Sequence, residues 1–166
     1  MSATRAPRRR WLVPEVVQTS AMDCGPAVLA CLLNGHGIRA DYGRLREACQ
    51  TDLDGTSIDV LERVACQVGL PAEQVMLPAD HLLLPEADAL PAVVVTVLPS
   101  GMTHFVLLWR RHGPFVQVMD PGEGRRWLSG SDFLREVYVH AHRLPAAAWR
   151  EWAGGEGLAA PLARRL

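Results

Sequence analysis

The sequence predicts an α+β domain, with helices in its first half and an antiparallel sheet in its second. Three features carry this. A stretch opening at Cys24 is apolar on every helical face, and two further segments before Pro71 repeat apolar residues at helical spacing. After Pro71 the pattern changes to short β-branched and aromatic runs separated by turn residues. Helices first and strands second separate this chain from an alternating α/β one. At 166 residues it is one domain's worth, long enough to bury a core without staples.

The elements follow in order. Residues 1–12 read as an N-terminal arm. In Asp23-Cys24-Gly25-Pro26, Asp23 suits an N-cap and Pro26 a first helical turn, where a missing N–H costs nothing. Ala27 to Leu33 is apolar all round, so this helix should run through the centre of the domain, ending at Asn34, Gly35 and Gly37. Asp41 to Gln50 reads as a second helix with Tyr42, Leu45, Ala48 and Cys49 on one side. Thr56 should cap a third, with Ile58, Leu61, Ala65 and Val68 on one face and Gly69 just past its end. Gln74–Leu77 is a short candidate strand, and residues 78–90 form a loop. Ala92–Leu98 reads as a central strand. His104–Arg110 and Phe115–Asp120 form a hairpin around Arg111-His112-Gly113-Pro114. Arg125–Leu128 is a further strand, and Ser129 caps a short helix through Val137. From Pro145 on, the chain shows no core pattern and reads as a linker. The expected organisation is an arm at 1–12, a domain at 13–144 and a linker or tail at 145–166.

Composition excludes several classes. With 49% apolar and 21% charged residues the chain is globular, and a net charge of −1 with no recurring basic face argues against a nucleic-acid partner. No apolar stretch follows the charged N-terminus as a signal peptide requires, and none reaches membrane-spanning length. The spacing of Cys24, Cys31, Cys49 and Cys66 matches no zinc knuckle. Cys31, Cys49 and Cys66 lie among apolar residues of predicted helices and read as small buried hydrophobes. Without a disulfide framework, a soluble chain in a reducing, cytoplasmic compartment is expected. His140 and His142 would share a strand face, but no third metal ligand accompanies them. His36, His81 and His112 read as loop residues. No cofactor or metal is expected.

Four residues could carry chemistry. A thiol attacks only as thiolate, and a helix N-terminus favours that anion. Cys24 sits where the first helix should start, either as a nucleophile or as a buried cysteine at a helix end. A turn centred on His112 would set His104 directly opposite Asp120, with Cβ atoms roughly 5 Å apart. There the carboxylate could fix the imidazole's tautomer and orientation. Equally, they could be a core histidine and a turn aspartate, since Asp120-Pro121-Gly122 is an ordinary turn sequence. Gln18, six residues before Cys24, could donate to the oxyanion of a tetrahedral intermediate, or be an exposed loop residue.

The run Gln18-Thr19-Ser20-Ala21-Met22-Asp23-Cys24-Gly25-Pro26-Ala27 resembles the start of the C39 peptidase family, the bacteriocin-processing peptidases often found at the N-terminus of an exporting ABC transporter. The resemblance continues through Asp54-Gly55-Thr56-Ser57, His104-Phe105-Val106, and Asp120-Pro121 followed by Gly124, so that it covers roughly residues 13–138. It implies a papain-like cysteine peptidase that removes the leader of a bacteriocin- or lanthipeptide-type precursor by cutting after a Gly-Gly or Gly-Ala pair. On that pattern Gln18 is the oxyanion donor, Cys24 the nucleophile, His104 the base and Asp120 the orienting carboxylate. The implied partners are a precursor peptide with an amphipathic leader and the transmembrane and ATPase domains of an exporter. The implied location is the cytoplasmic face of the plasma membrane. The chain itself contains no phosphate loop. Its end, Pro161 to Leu166, resembles the linker toward the first membrane helix in transporters of the NHLM lanthipeptide and Nif11-type leader class. Val137 to His142 departs from the aromatic-rich segment that often closes the family domain.

Two other functions use the same parts. A leader-binding module would keep the fold and lose the cysteine, which is present here. An acyl or glutamyl transferase would share Cys, His and Asp, but the Gln-to-Cys spacing favours the peptidase. The apolar sides of Tyr42–Gln50 and Ile58–Val68 could receive a leader's hydrophobic face or simply be core.

Overall fold

A computed structural model describes residues 9–51, 55–141 and 145–156. Three helices come first: α1 (Cys24–Gly35), α2 (Tyr42–Ala48) and α3 (Ile58–Gln67). Two single 3-10 turns, Ala79–His81 and Pro85–Ala87, lead to strands β1 (Ala92–Val97), β2 (Thr103–His112), β3 (Phe115–Asp120) and β4 (Gly124–Ser129). Helices α4 (Gly130–Glu136) and α5 (Ala146–Ala153) follow. The strands form one antiparallel sheet in the order β1-β2-β3-β4. No helix among the described residues is long and apolar enough to cross a membrane.

Helix α1 is buried on all sides, as its uniformly apolar sequence requires: Ala27 through Cys31 and Leu33 are essentially inaccessible. Leu45 and Cys49, at the end of α2, and Leu61, Val64 and Ala65 of α3 pack around it. Its other side meets Leu107, Trp109 and Met119 on one face of the sheet. The opposite face, with Val94, Val106, Leu108, Val116 and Val118, is covered by Phe133 of α4. The fit between α1 and the sheet is tight at one point. A Cβ on Gly35 would lie 2.4 Å from the Trp109 ring, so only glycine lets the fully buried indole seat against the end of α1. The same indole donates to the Arg10 carbonyl at 3.1 Å, and Arg10 N donates to Gly35 O at 2.9 Å. Val13 N donates to the buried Gln117 Oε1 at 2.7 Å. The described part of the arm is therefore fastened across α1 and the sheet.

Several expectations change. Ala92–Leu98 is an edge strand, not a central one. Its apolar run is explained by what lies beyond it: Thr96 bridges to Val137, and Tyr138 N donates to Val95 O at 2.9 Å, so the chain leaving α4 covers that edge. Gln74–Leu77 forms no strand and is largely exposed. Ser57, not Thr56, holds the N-cap position of α3, with extended backbone and no side-chain cap, while the Thr56 hydroxyl is engaged with Thr51 Oγ1 at 2.8 Å. Ser129 caps α4 as expected, accepting from Asp132 N at 3.0 Å. The tail contains the short helix α5, none of whose residues is buried.

Candidate active site

Cys24 is the first residue of α1, partly exposed. Asp23 occupies the N-cap position, but its carboxylate makes no cap. Instead Oδ2 accepts from Thr19 Oγ1 at 3.1 Å and pairs with Arg46 Nε of α2 at 2.9 Å. A polar side chain that is 1% exposed needs such hydrogen-bonding partners. The Arg46 side chain is 46% exposed, which limits the pair to about 1 kcal/mol of stability after solvent screening. The first intrahelical bond runs from Ala27 N to Asp23 O, and Pro26 has no N–H. The N–H groups of Cys24 and Gly25 are thus the two early donors of α1 that lie beside the thiol. Gly25 must be small, since a Cβ there would come within 2.9 Å of Thr56 Cβ.

The β2–β3 hairpin brings the other two groups in. His104 Nε2 donates to Asp120 Oδ1 at 2.8 Å, with both side chains nearly buried. Asp120 Oδ1 also accepts from Gly122 N at 2.8 Å, and Oδ2 lies 3.6 Å from Arg126 of β4. With Nε2 so engaged, Nδ1 is the ring nitrogen left to face the Cys24 thiol, whose pKa the imidazole lowers. The two residues are not directly opposed, however. The hairpin turns through the two-residue loop Gly113-Pro114, pairing His112 with Phe115, and a bulge between Leu108 and Arg110 shifts the register to Leu107↔Met119. Continued by one residue, that register sets Asp120 against Val106, two positions from His104 and on the same face. This diagonal neighbour remains within reach of an imidazole.

Electrostatics follow from these contacts. Burial pushes the Cys24 thiol up. The hydrogen bond and charge of His104, with backbone bonds from Phe105 and Gly25, outweigh it, and the pKa falls below the ordinary thiol value. The Asp120 hydrogen bond, then that of Cys24, raise His104 from 6.5 to about 9 against the effect of burial. Burial also opposes ionisation of Asp120, but His104, Gly122 and Arg126 together hold its pKa below the usual carboxylate value. Both shifts favour a thiolate–imidazolium pair. Because the folded pKa of His104 is raised, the stability it contributes is full below pH 6.5 and lost as pH rises through about 9. For activity, kcat/KM should rise as Cys24 loses its proton and fall as His104 loses its own near pH 9. In Asp120→Asn the alkaline limb should move to lower pH, since the largest support of the imidazolium is weakened. A limb that stays put would detach Asp120 from His104.

A model described as the Peptidase C39 family matches residues 13–138, most of the chain. The chain belongs to the Peptidase C39 family. Among curated relatives of this C39 chain, the Lactococcin-G-processing and transport ATP-binding protein LagD of Lactococcus lactis subsp. lactis is 27% identical over 73% of it. The transport/processing ATP-binding protein ComA of Streptococcus pneumoniae is 31% identical over 64% of it. The chain spans 17% and 15% of the lengths of these two relatives. Two solved structures share its fold. A double glycine motif protease from an AMS/PCAT transporter, in complex with the leader peptide, aligns with a TM-score of 0.65 at 24% identity, covering 78% of this chain and 89% of that one. The peptidase domain of Streptococcus ComA aligns with a TM-score of 0.66 at 22% identity, covering 74% and 90%. The α+β architecture expected from the sequence, helices followed by a four-stranded antiparallel sheet, is that of these C39 peptidase structures.

The remaining expected residues of the C39 chain divide. Gln18 is brought to the site, its N–H donating to Pro121 O at 2.9 Å beside Asp120, and its Oε1 is buried without a partner. Cys31 and Cys49 are buried, and burial raises their thiols to about 12 and about 11, which makes them inert. Cys66 is not the buried hydrophobe expected: it is exposed, with its thiol on Ala72 O at 3.5 Å. His112 lies in β2, between the rings of Trp11 and Trp127, and not in a loop. Asp54 and His142 lie outside the described residues. The apolar sides of α2 and α3 are largely core, with Ile58 and Val68 left partly exposed. Thr19, Arg46 and Arg126 were not singled out from the sequence; Arg46 and Arg126 carry no local pattern because each acts on a carboxylate of another element, whereas Thr19 bonds Asp23 within the same turn.

Proposed function

We propose that this chain is the cysteine peptidase part of a peptide exporter, removing the leader of a bacteriocin- or lanthipeptide-type precursor by cutting after a Gly-Gly or Gly-Ala pair. The observation that carries the reading is the Cys24–His104–Asp120 contact chain at the start of α1, in a chain whose family match spans residues 13–138. The Cys24 thiolate attacks the carbonyl carbon of the residue before the cut. The resulting oxyanion is held by the Gln18 amide and the Cys24 N–H. The His104 imidazolium passes its proton from Nδ1 to the leaving amine. Water then attacks the thioester, giving a proton back to His104 as the C–S bond breaks, so that the Cys24 thiolate and His104 imidazolium are regenerated and the leader's new carboxyl group is released and loses its proton to solvent. Asp120 keeps the ring oriented throughout.

The peptidase unit is residues 13–144, supported by a core that runs from Val13 to Phe133. The unburied α5 begins the connection from it toward the transmembrane and ATPase domains of an exporter. The processing and transport named for LagD and ComA support that partnership, as does the leader bound in the AMS/PCAT structure. A site at the cytoplasmic face of the plasma membrane suits a nucleophile that must stay a free thiol.

The test is cleavage, read by mass spectrometry, of a synthetic precursor with an amphipathic helical leader and a Gly-Gly junction. Cutting should occur after the second Gly. Replacing that Gly with Leu should remove turnover while leader affinity is largely kept. Replacing the leader's apolar anchors with Asp should raise KM. Efficient cutting after bulky pairs, or indifference to the leader, would mean a general protease. Binding without cutting would mean a docking module.

A further inference from the structure

An oxyanion donor must be held at a fixed place relative to the thiol, and the contacts of Cys24 do not themselves hold Gln18 there. Gln18 lies in the loop before α1, and Cys24 is the first residue of that helix. We propose that Thr19, Asp23 and Arg46 form a clamp that fixes Gln18 against the start of α1, making Thr19 and Asp23 positioning residues for the oxyanion site. The proposal rests on the reading of Gln18 as oxyanion donor.

Thr19 is the residue after Gln18, and Asp23 the residue before Cys24. Their side chains meet at 3.1 Å, Thr19 Oγ1 donating to Asp23 Oδ2. One hydrogen bond therefore ties the chain together one residue inside each end of the Gln18–Cys24 connection. The loop between is folded by Asp23 N donating to Ser20 O at 3.1 Å. Helix α2 holds the clamp from outside. Its Arg46 Nε lies 2.9 Å from the same Asp23 Oδ2, and its Tyr42 hydroxyl accepts from Thr19 N at 3.3 Å. On the other side Gln18 N is anchored to Pro121 O at 2.9 Å, next to Asp120. The Gln18 side-chain oxygen is buried with no hydrogen-bond partner, so no bond at that atom helps to fix the amide. The clamp has a second consequence. An aspartate at an N-cap ordinarily accepts from the first-turn N–H groups of its helix. Thr19 and Arg46 turn Asp23 away from them and leave those donors to the anion that forms at Cys24.

A double-mutant cycle tests this, with the whole chain and a synthetic fluorogenic peptide in which an amphipathic helical segment ends in Gly-Gly amide. Gln18→Ala should lower kcat about 10²–10³-fold, the usual loss for one oxyanion donor. Thr19→Val should lower kcat at least about tenfold with KM unchanged, consistent with a misplacement of about 1 Å. Thr19→Ser, which keeps the hydroxyl, should restore it. In the Gln18→Ala background, Thr19→Val should cost less than about twofold, because the group it positions is gone. Equal losses in both backgrounds, or a change in KM alone, would overturn the clamp while leaving the oxyanion reading intact. No loss in Gln18→Ala, or no turnover by the unmodified chain, would overturn that reading and the clamp with it. A thermal melt of Thr19→Val separates the cases further: a lowered Tm with kcat unchanged would make the contact structural only.

Discussion

Cys24→Ala is expected to abolish cleavage of a Gly-Gly precursor, by a factor on the order of 10⁶, the scale of removing the nucleophile from an acyl-transfer triad. Leader binding should be nearly unchanged, because the thiol does chemistry and the leader's apolar face is held elsewhere. The loss should be complete because no other cysteine can substitute. Cys31 and Cys49 are buried with thiols raised to about 12 and about 11, so neither presents a thiolate at neutral pH. Cys66 is exposed but stands at the far end of α3, against Ala72 O, with no base beside it in its hydrogen bonding. Limiting iodoacetamide should therefore alkylate Cys24 first, as read by peptide mass spectrometry, and protection of Cys24 should protect activity. Residual cutting by Cys24→Ala, or inactivation that tracks modification of Cys66, would overturn the assignment.

His104→Ala should lose nearly all activity, since it removes both the imidazolium that stabilises the thiolate and the proton for the leaving amine. Asp120→Asn should be impaired yet measurable, well short of the roughly 10⁴-fold loss known for a serine triad. A thiolate already paired with an imidazolium depends less on the third residue than an alkoxide that must be generated at the moment of attack. The Asn oxygen can still accept from His104 Nε2 and Gly122 N, so the turn should fold. The new amide NH₂ would instead face Arg126, where the carboxylate's second oxygen now lies 3.6 Å away. Single-turnover rates alongside circular dichroism would decide between outcomes. Equal and complete loss in two folded variants would mean that the pair acts as one unit. Unfolding of Asp120→Asn would make its principal role that of a turn residue.

Much of this site was legible in the sequence because its parts are local. A helix apolar on every face must be buried, so the start at Asp23-Cys24-Gly25-Pro26 had to lie inside the domain. Gln18 at fixed spacing before Cys24, and His104 and Asp120 on neighbouring strands, could likewise be read from one stretch each. The edge position of β1 could not, because the chain that covers it returns from beyond α4. Nor could the side chain of Asp23 be placed: its type suits an N-cap, and only α2 packing beside α1 supplies the Arg46 that draws it away.

The decisive tertiary contribution is the register of β2 on β3. Side chains alternate along a strand, so a shift of one residue moves a group to the other face. From the His112↔Phe115 pair alone, an unbroken ladder would place His104 and Asp120 on opposite faces. The bulge after Leu108 adds one residue and returns them to the same face, where Nε2 and Oδ1 meet at 2.8 Å. What seats the bulge comes from far along the chain. Trp109 and Arg110 both reach the Arg10 carbonyl, at 3.1 and 3.4 Å, and Trp109 packs on Gly35 at the end of α1. The sequence by itself singled out the residues proposed to do the chemistry and predicted that a central helix would begin at Cys24. Whether histidine and carboxylate share a face was decided only when the N-terminal segment, α1 and the sheet came together, because a one-residue bulge leaves no periodic mark and is held by contacts some hundred residues apart.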